Sequence, residues 1–159
     1  MSNFISLLEQ LVVLLAPSLV ALQSLLGVTL VPVPNPNTFW QFYEARPVDG
    51  LVARVAYREP GPGATKQRPL LVLDLRSAPI RLHDLEERFG QAQISDLSAH
   101  HPQFIGYWFA LKGHCVAVNV DSQTNAVLSV TIDYSKALVP ENAAQQGAPA
   151  DKPASQVCR

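Results

Sequence analysis

A chain of 159 residues that is 48% hydrophobic and 16% charged holds enough apolar material to bury one core. Twelve Lys and Arg stand against thirteen Asp and Glu, for a formal net charge of -1 and a pI of about 6.4. Such a balance has no basic field of the kind that grips a phosphate backbone, so nucleic acid is excluded as the expected partner.

The chain opens on its most apolar stretch. No charged residue lies between Glu9 and Glu44, and Phe4, Ile5, Leu8, Leu11, Val12 and Leu15 recur at helical spacing. Residues 1–17 therefore read as an apolar helix ending at Pro17. By hydropathy Leu11 to Val33 could pass as a membrane span, yet Pro17 and Ser18 interrupt it and no Lys, Arg or His before Arg46 sets an orientation. A secretory signal would want a positive start and a small-residue cleavage site, and Met1 to Ala16 offers neither. The expectation is a helix of the fold, ahead of a signal or a membrane anchor. A soluble protein follows, with the cytoplasm preferred to the periplasm.

Pro17 then opens a second helix through Leu19, Leu22, Leu25 and Leu26, which stops at Gly27. Val31 to Asn37 is proline-rich and reads as a loop. Strand-like runs follow at Phe39 to Ala45, Leu51 to Arg58 and Leu70 to Arg76. Asp49-Gly50 marks a tight hairpin and Glu59-Pro60-Gly61-Pro62-Gly63 a longer one. The same order returns with a short helix carrying Leu82, Leu85 and Phe89 and closed by Gly90, then a loop Gln91 to Gln103. Runs at Phe104 to Lys112, His114 to Asp121 and Ala126 to Tyr134 complete it. Sliding the chain by about 63 residues lays Leu19, Leu22, Leu26 and Gly27 over Leu82, Leu85, Phe89 and Gly90. Residues 18–78 and 79–134 thus read as two tandem helix-plus-three-strand units. Residues 135–159, without periodicity, read as a disordered tail.

The expected fold class is α+β, a six-stranded antiparallel sheet with helices on one face and an open, saddle-like opposite face. Alternation assigns Val116, Val118 and Val120 with Leu128, Val130 and Ile132 to the helix side, together with Leu71, Leu73 and Leu75. Arg54, Arg58, Asp74 and Arg76 fall opposite. Taking Ile105, Tyr107, Phe109 and Leu111 inward puts Trp108 and Lys112 on the open face. In the first unit either Trp40 and Phe42 or Phe39 and Tyr43 turn outward. A broad face carrying aromatics and arginines is composed like a protein-binding interface.

The reactive inventory is thin. His114 and Cys115 are strand neighbours and point to opposite faces, so they do not form a thiolate-imidazole pair. His100 and His101 lack a third ligand at metal spacing, although a cleft lined by them and Asp96 would be an enzymatic alternative. No nucleophile elbow, phosphate loop or zinc motif is present. No catalytic residue, metal or cofactor is expected. Cys115 and Cys158 read as two free thiols, ahead of a bridge from the tail to the sheet.

Leu82-His83-Asp84-Leu85-Glu86-Glu87-Arg88-Phe89-Gly90, the Gly106-Tyr107-Trp108 strand, Val116-Ala117-Val118-Asn119-Val120-Asp121 and Val127-Leu128-Ser129-Val130 resemble the family of the β-lactamase-inhibitor protein and the small outer-membrane assembly lipoproteins. The resemblance covers roughly residues 18 to 134 and is best in the second unit. It implies two tandem units forming a saddle whose concave sheet face clamps a partner protein, which would put Trp40, Tyr43, Arg54, Arg58, Asp74, Arg76, Trp108 and Lys112 near the contact. The sequence departs from the secreted members in having no clear signal peptide, no cysteine pair within each unit and no lipidated N-terminal cysteine. A β-lactamase is therefore not the expected target. The expected function is a non-catalytic, immunity-type inhibitor that neutralises a secreted bacterial effector or enzyme. The alternative is an envelope-associated scaffold or assembly protein anchored by its apolar N-terminus.

Overall fold

A computed structural model describes residues 2–35, 38–64, 68–76, 80–95 and 103–134. Among these, helices α1 (Ser2–Val12) and α2 (Leu19–Leu26) precede strands β1 (Val31–Val33), β2 (Trp40–Ala45), β3 (Val52–Pro60) and β4 (Leu70–Leu75). Helix α3 (Leu82–Phe89) then precedes β5 (Gln93–Ile94), β6 (Phe104–Leu111), β7 (His114–Asp121) and β8 (Val127–Asp133). The fold is α+β, with three helices and one open antiparallel sheet in the order β1-β2-β3-β4-β8-β7-β6-β5.

The helices end where their residues require it. Ser18 caps α2 by accepting the Ala21 N–H at 3.2 Å, and Gly27 closes it at φ +64°, a left-handed conformation that glycine adopts without a Cβ penalty. At α3 the Asp84 carboxylate reaches back to the Arg81 N–H at 2.8 Å, which satisfies one of the donors a helix start leaves unpaired.

One strand parity builds the core. The register sets Tyr57 opposite Leu71, Leu71 opposite Ile132, Ile132 opposite Val116 and Val116 opposite Phe109. All five are buried. They join Phe4, Leu8, Leu11 and Val12 of α1, Leu22 of α2 and Leu85 of α3 in a single cluster. Burying a leucine-sized side chain contributes about 1.5–3 kcal/mol, so α1 is held by four such contacts. No helix among the described residues is long and apolar enough to cross a membrane.

The connection between α1 and α2 is pinned from below by two buried phenols. Tyr57 donates its hydroxyl to the Pro17 carbonyl at 2.7 Å, and Tyr134 donates to the Leu11 carbonyl at 3.0 Å. Beside Tyr134 lies His114, 1% exposed, its ring meeting the phenol edge-on with centroids 5.2 Å apart. Neither ring nitrogen of His114 makes a hydrogen bond of good geometry.

Several expectations are corrected. The sheet has eight strands, not six, because both expected loops contribute a short edge strand. Val31–Val33 pairs with β2 although Pro32 lacks an N–H, and proline is tolerated at a sheet edge. The Asp49-Gly50 turn sits inside a longer connection between Ala45 and Val52, with Gly50 at φ +88°. Leu128 is 40% exposed and Val127 is buried in its place, since the β7–β8 register shifts between Asn119 and Val120 and flips the parity. Cys115 is disulfide-bonded rather than a free thiol, and the chain's one other cysteine is Cys158. The tail at 135–159, and the cleft read around Asp96, His100 and His101, lie outside the described residues.

Candidate functional site

The strand parity opposite the core defines three cross-strand rows. The first runs Val33, Phe42, Arg58, Leu70, Asp133, Cys115 and Ala110, and the second Val31, Glu44, Ala56, Val72, Thr131, Ala117, Trp108 and Gln93. The third runs Arg54, Asp74, Ser129, Asn119 and Gly106.

The charges in these rows are paired in a fixed geometry. Arg54 gives Nε and Nη2 to Glu44 Oε1, at 3.2 and 2.8 Å, and Nη1 to Asp74 Oδ2 at 2.9 Å. One guanidinium thus ties β2, β3 and β4 together, as its rigid fork of donors permits. The bond from Arg54 holds the Glu44 carboxyl below the usual range, and Glu44 raises Arg54 in return. Side-chain exposures of 36%, 31% and 36% for Arg54, Glu44 and Asp74 mean that solvent screens the triad, so each pair contributes only about 0.2–1 kcal/mol. Its effect is to order side chains. Further along the row Asn119 Nδ2 donates to Ser129 Oγ at 3.0 Å. The row ends at Gly106, beside the Ser95 hydroxyl, because β5 pairs with β6 only at Gln93 and Ile94.

Arg58 is exposed and stacks over Phe42, its Cζ 5.0 Å from the ring centroid, a cation–π contact that keeps both extended across β2 and β3. Trp40 pairs with Pro60 on the same parity and is half-buried. Trp108 is half-buried on β6. Between Glu44 and Trp108 the second row carries only Ala56, Val72, Thr131 and Ala117. The two flanks are five strand spacings apart, about 24 Å.

Of the residues singled out from the sequence, Trp40, Arg54, Arg58, Asp74 and Trp108 share this parity. Arg76 lies just beyond β4, is exposed, and donates to the Pro47 carbonyl. Lys112 is exposed in the β6–β7 turn at φ +49°, off the strand rows. Tyr43 belongs to the other side. It pairs with Tyr57, packs against the core with ring centroids 6.2 Å apart, and donates its hydroxyl to Glu59 at 2.8 Å. That bond raises the Tyr43 phenol above its ordinary 10.0. Phe42 therefore takes the outward place, which settles the alternation left open in the first aromatic strand. Glu44 was not singled out, although once Phe42 points outward, alternation alone puts Glu44 beside it.

On the helix side, an apolar cleft of about 570 Å³ lies between the α1–α2 pair and the β2–β3 connection. Among the described residues no three His, Cys, Asp or Glu side chains gather closely enough to hold a metal ion. No protein-family model, no curated protein and no solved structure matches this chain.

Proposed function

We propose that this chain is a non-catalytic, immunity-type inhibitor that holds a partner protein against the side of its sheet opposite the core. The observation that carries the reading is the second strand row. A trough of Ala56, Val72, Thr131 and Ala117 is walled on one flank by Glu44 with the ordered Arg54 and Arg58, and on the other by Trp108. Small side chains between large polar and aromatic ones suit the seating of a partner element about one helix wide with room to spare. Arg and Trp are the side chains that most often dominate such contacts.

The strand order supports the duplication read from the sequence. Each half is a helix, a short edge strand and a three-strand meander, and the halves meet at β4 and β8 in mirror-like order. On this reading the two α-βββ units form one saddle. The target class we propose is a secreted effector or enzyme, by analogy with inhibitors of this shape. The bonded Cys115 supports the periplasm over the cytoplasm, because disulfides persist in oxidising compartments. The inhibitor reading is preferred to an anchored scaffold because Phe4, Leu8, Leu11 and Val12 pack in the core cluster.

The test is affinity capture from the native envelope fraction with wild-type bait and with a Trp108→Ala, Arg58→Glu double variant, each checked for folding by circular dichroism. One stoichiometric partner bound by the wild type and lost in the folded double variant is the expected result. Equal capture by both baits would remove the trough as the binding site.

A further inference from the structure

His114 opens β7 with its side chain on the core side of the sheet, on the same strand parity as the buried Val116, Val118 and Val120. It is as buried as they are, yet both of its ring nitrogens lack a hydrogen bond of good geometry. An unpaired donor and acceptor in the interior cost free energy, so such a group calls for an explanation. One wall of its seat is the Tyr134 ring, whose hydroxyl holds the Leu11 carbonyl. The other is the connection between α1 and α2, from which the Leu14 carbonyl acts on the imidazole. Among the described residues two charges act on the ring. Exposed Arg68, ahead of β4, opposes protonation, and Asp133 of β8 favours it from the outward strand parity. The connection brings none, because no charged residue lies between Glu9 and Glu44, and Glu9 itself is paired with Arg88 at 2.7 Å. Lys112 is exposed in the β6–β7 turn, and burial raises the Tyr57 and Tyr134 phenols, which stay neutral.

An imidazolium has two N–H donors and a charge to place. One carbonyl cannot serve both donors, and burial penalises the charge. A proton on His114 is therefore accommodated only if a wall of the seat moves. β7 is paired on both sides, with β6 and β8, and its valines belong to the core cluster. The connection is the softer wall. Val13, Leu15 and Ala16 are exposed, and the phenol hydrogen bonds to the Leu11 and Pro17 carbonyls hold it at its two ends. Segments with exposed side chains and few buried contacts open at lower free energy than core strands. We propose that protonation of His114 unlatches the α1–α2 connection, residues 13–18, from the sheet, so that this end of the fold is an acid-operated latch. Opening frees Leu14 from the core and adds its apolar surface to that of the exposed Val13 and Leu15. The latch lies on the core side of the sheet, so it and the trough fail or stand independently.

The experiment is native-state hydrogen exchange of the full-length protein at pH 7.5 and 5.0, read by mass spectrometry as protection factors, which remove the intrinsic pH dependence of exchange. Closed, the imidazole resists a proton; open, it titrates at its ordinary 6.5. Opening should be level above about pH 7 and rise as pH falls below 6.5, by up to about 30-fold at pH 5.0. The amides of residues 11–16 should lose protection by that factor, and at both pH values they should be less protected than those of residues 116–132. In His114→Leu or His114→Phe, whichever is folded by circular dichroism, the pH dependence at 11–16 should vanish. Tyr134→Phe, which releases the Leu11 carbonyl, should lower protection at 11–16 about two- to tenfold at pH 7.5. Protection at 11–16 equal to that at 116–132 at pH 5.0 overturns the proposal, because the opening would then be global unfolding. So does the absence of any fall in the wild type, an unchanged fall in a folded His114 variant, or wild-type protection at 11–16 in Tyr134→Phe.

Discussion

Tyr57 and Tyr134 perform similar tasks with unequal consequences, and that inequality is measurable. Replacing either with Phe removes one hydroxyl and leaves the ring in place, so packing is conserved and the hydrogen bond alone is lost. The Leu11 carbonyl receives the Tyr134 hydroxyl at 3.0 Å and also the Leu14 N–H at 3.2 Å. It keeps a partner in Tyr134→Phe, and the cost should be that of a net intramolecular hydrogen bond, about 0.5–1.5 kcal/mol. The buried Pro17 carbonyl receives the Tyr57 hydroxyl at 2.7 Å and has no second donor among the described residues. Tyr57→Phe strands a buried acceptor, at a cost of about 1–3 kcal/mol. Urea unfolding followed by circular dichroism gives both values, with unchanged slopes confirming that the two folded states are equally compact. A Tyr57→Phe variant as stable as wild type, or less damaged than Tyr134→Phe, would refute the reasoning.

Three further outcomes are expected. Burial, and secondarily the Arg68 charge, hold the His114 pKa below its ordinary 6.5, against weaker opposite pulls from the Leu14 carbonyl and Asp133. The unfolded chain therefore takes up a proton that the folded one resists, so stability should be level above about pH 7 and decline as pH falls below 6.5. Unfolding midpoints of wild type and His114→Leu across pH 5–8 check this, and an equal decline in both would assign it elsewhere. Thiol titration of the denatured, unreduced protein should find no free thiol, and a titre of two would contradict the bonded state of Cys115. Cys115→Ser removes that bond and should cost about 2–5 kcal/mol in urea unfolding. Gly61→Ala would place a Cβ 2.5 Å from the Thr38 carbonyl oxygen, and backbone cannot yield as a side chain does. A loss of about 1–3 kcal/mol is expected in thermal unfolding, and a neutral variant would show that the 38–39 turn relaxes freely.

The elements with strong periodicity were legible in the sequence and those fixed by partners were not. Leu82, Leu85, Phe89 and Gly90 mark α3 because helix spacing and a terminal glycine are local signals. So does the alternation of Val116, Val118 and Val120, all buried in β7. Gln93–Ile94 and Val31–Val33 carry no such signal, since a two- or three-residue edge strand exists only because β6 or β2 offers it hydrogen bonds. The exchange of Leu128 for Val127 came from a register shift, which shape and pairing decide and composition does not. For the candidate site, the residue types were readable and their grouping only partly so. Tyr43 and Phe42 are equally aromatic neighbours, and only the pairing of Tyr43 with Tyr57 tells which one turns inward. The bond at Cys115 has no local signal, and spacing alone cannot show it.

The place of the last strand has a consequence for how the chain matures. β8 lies at the middle of the sheet, between β4 and β7, so Leu70–Asp74 waits for Ser129–Asp133 before its outer edge is paired. Residues 127–133 must be made before the sheet can close, and non-local closure of this kind is slow. Until then each three-strand meander carries an apolar face and an unpaired edge, the surfaces on which holding chaperones act.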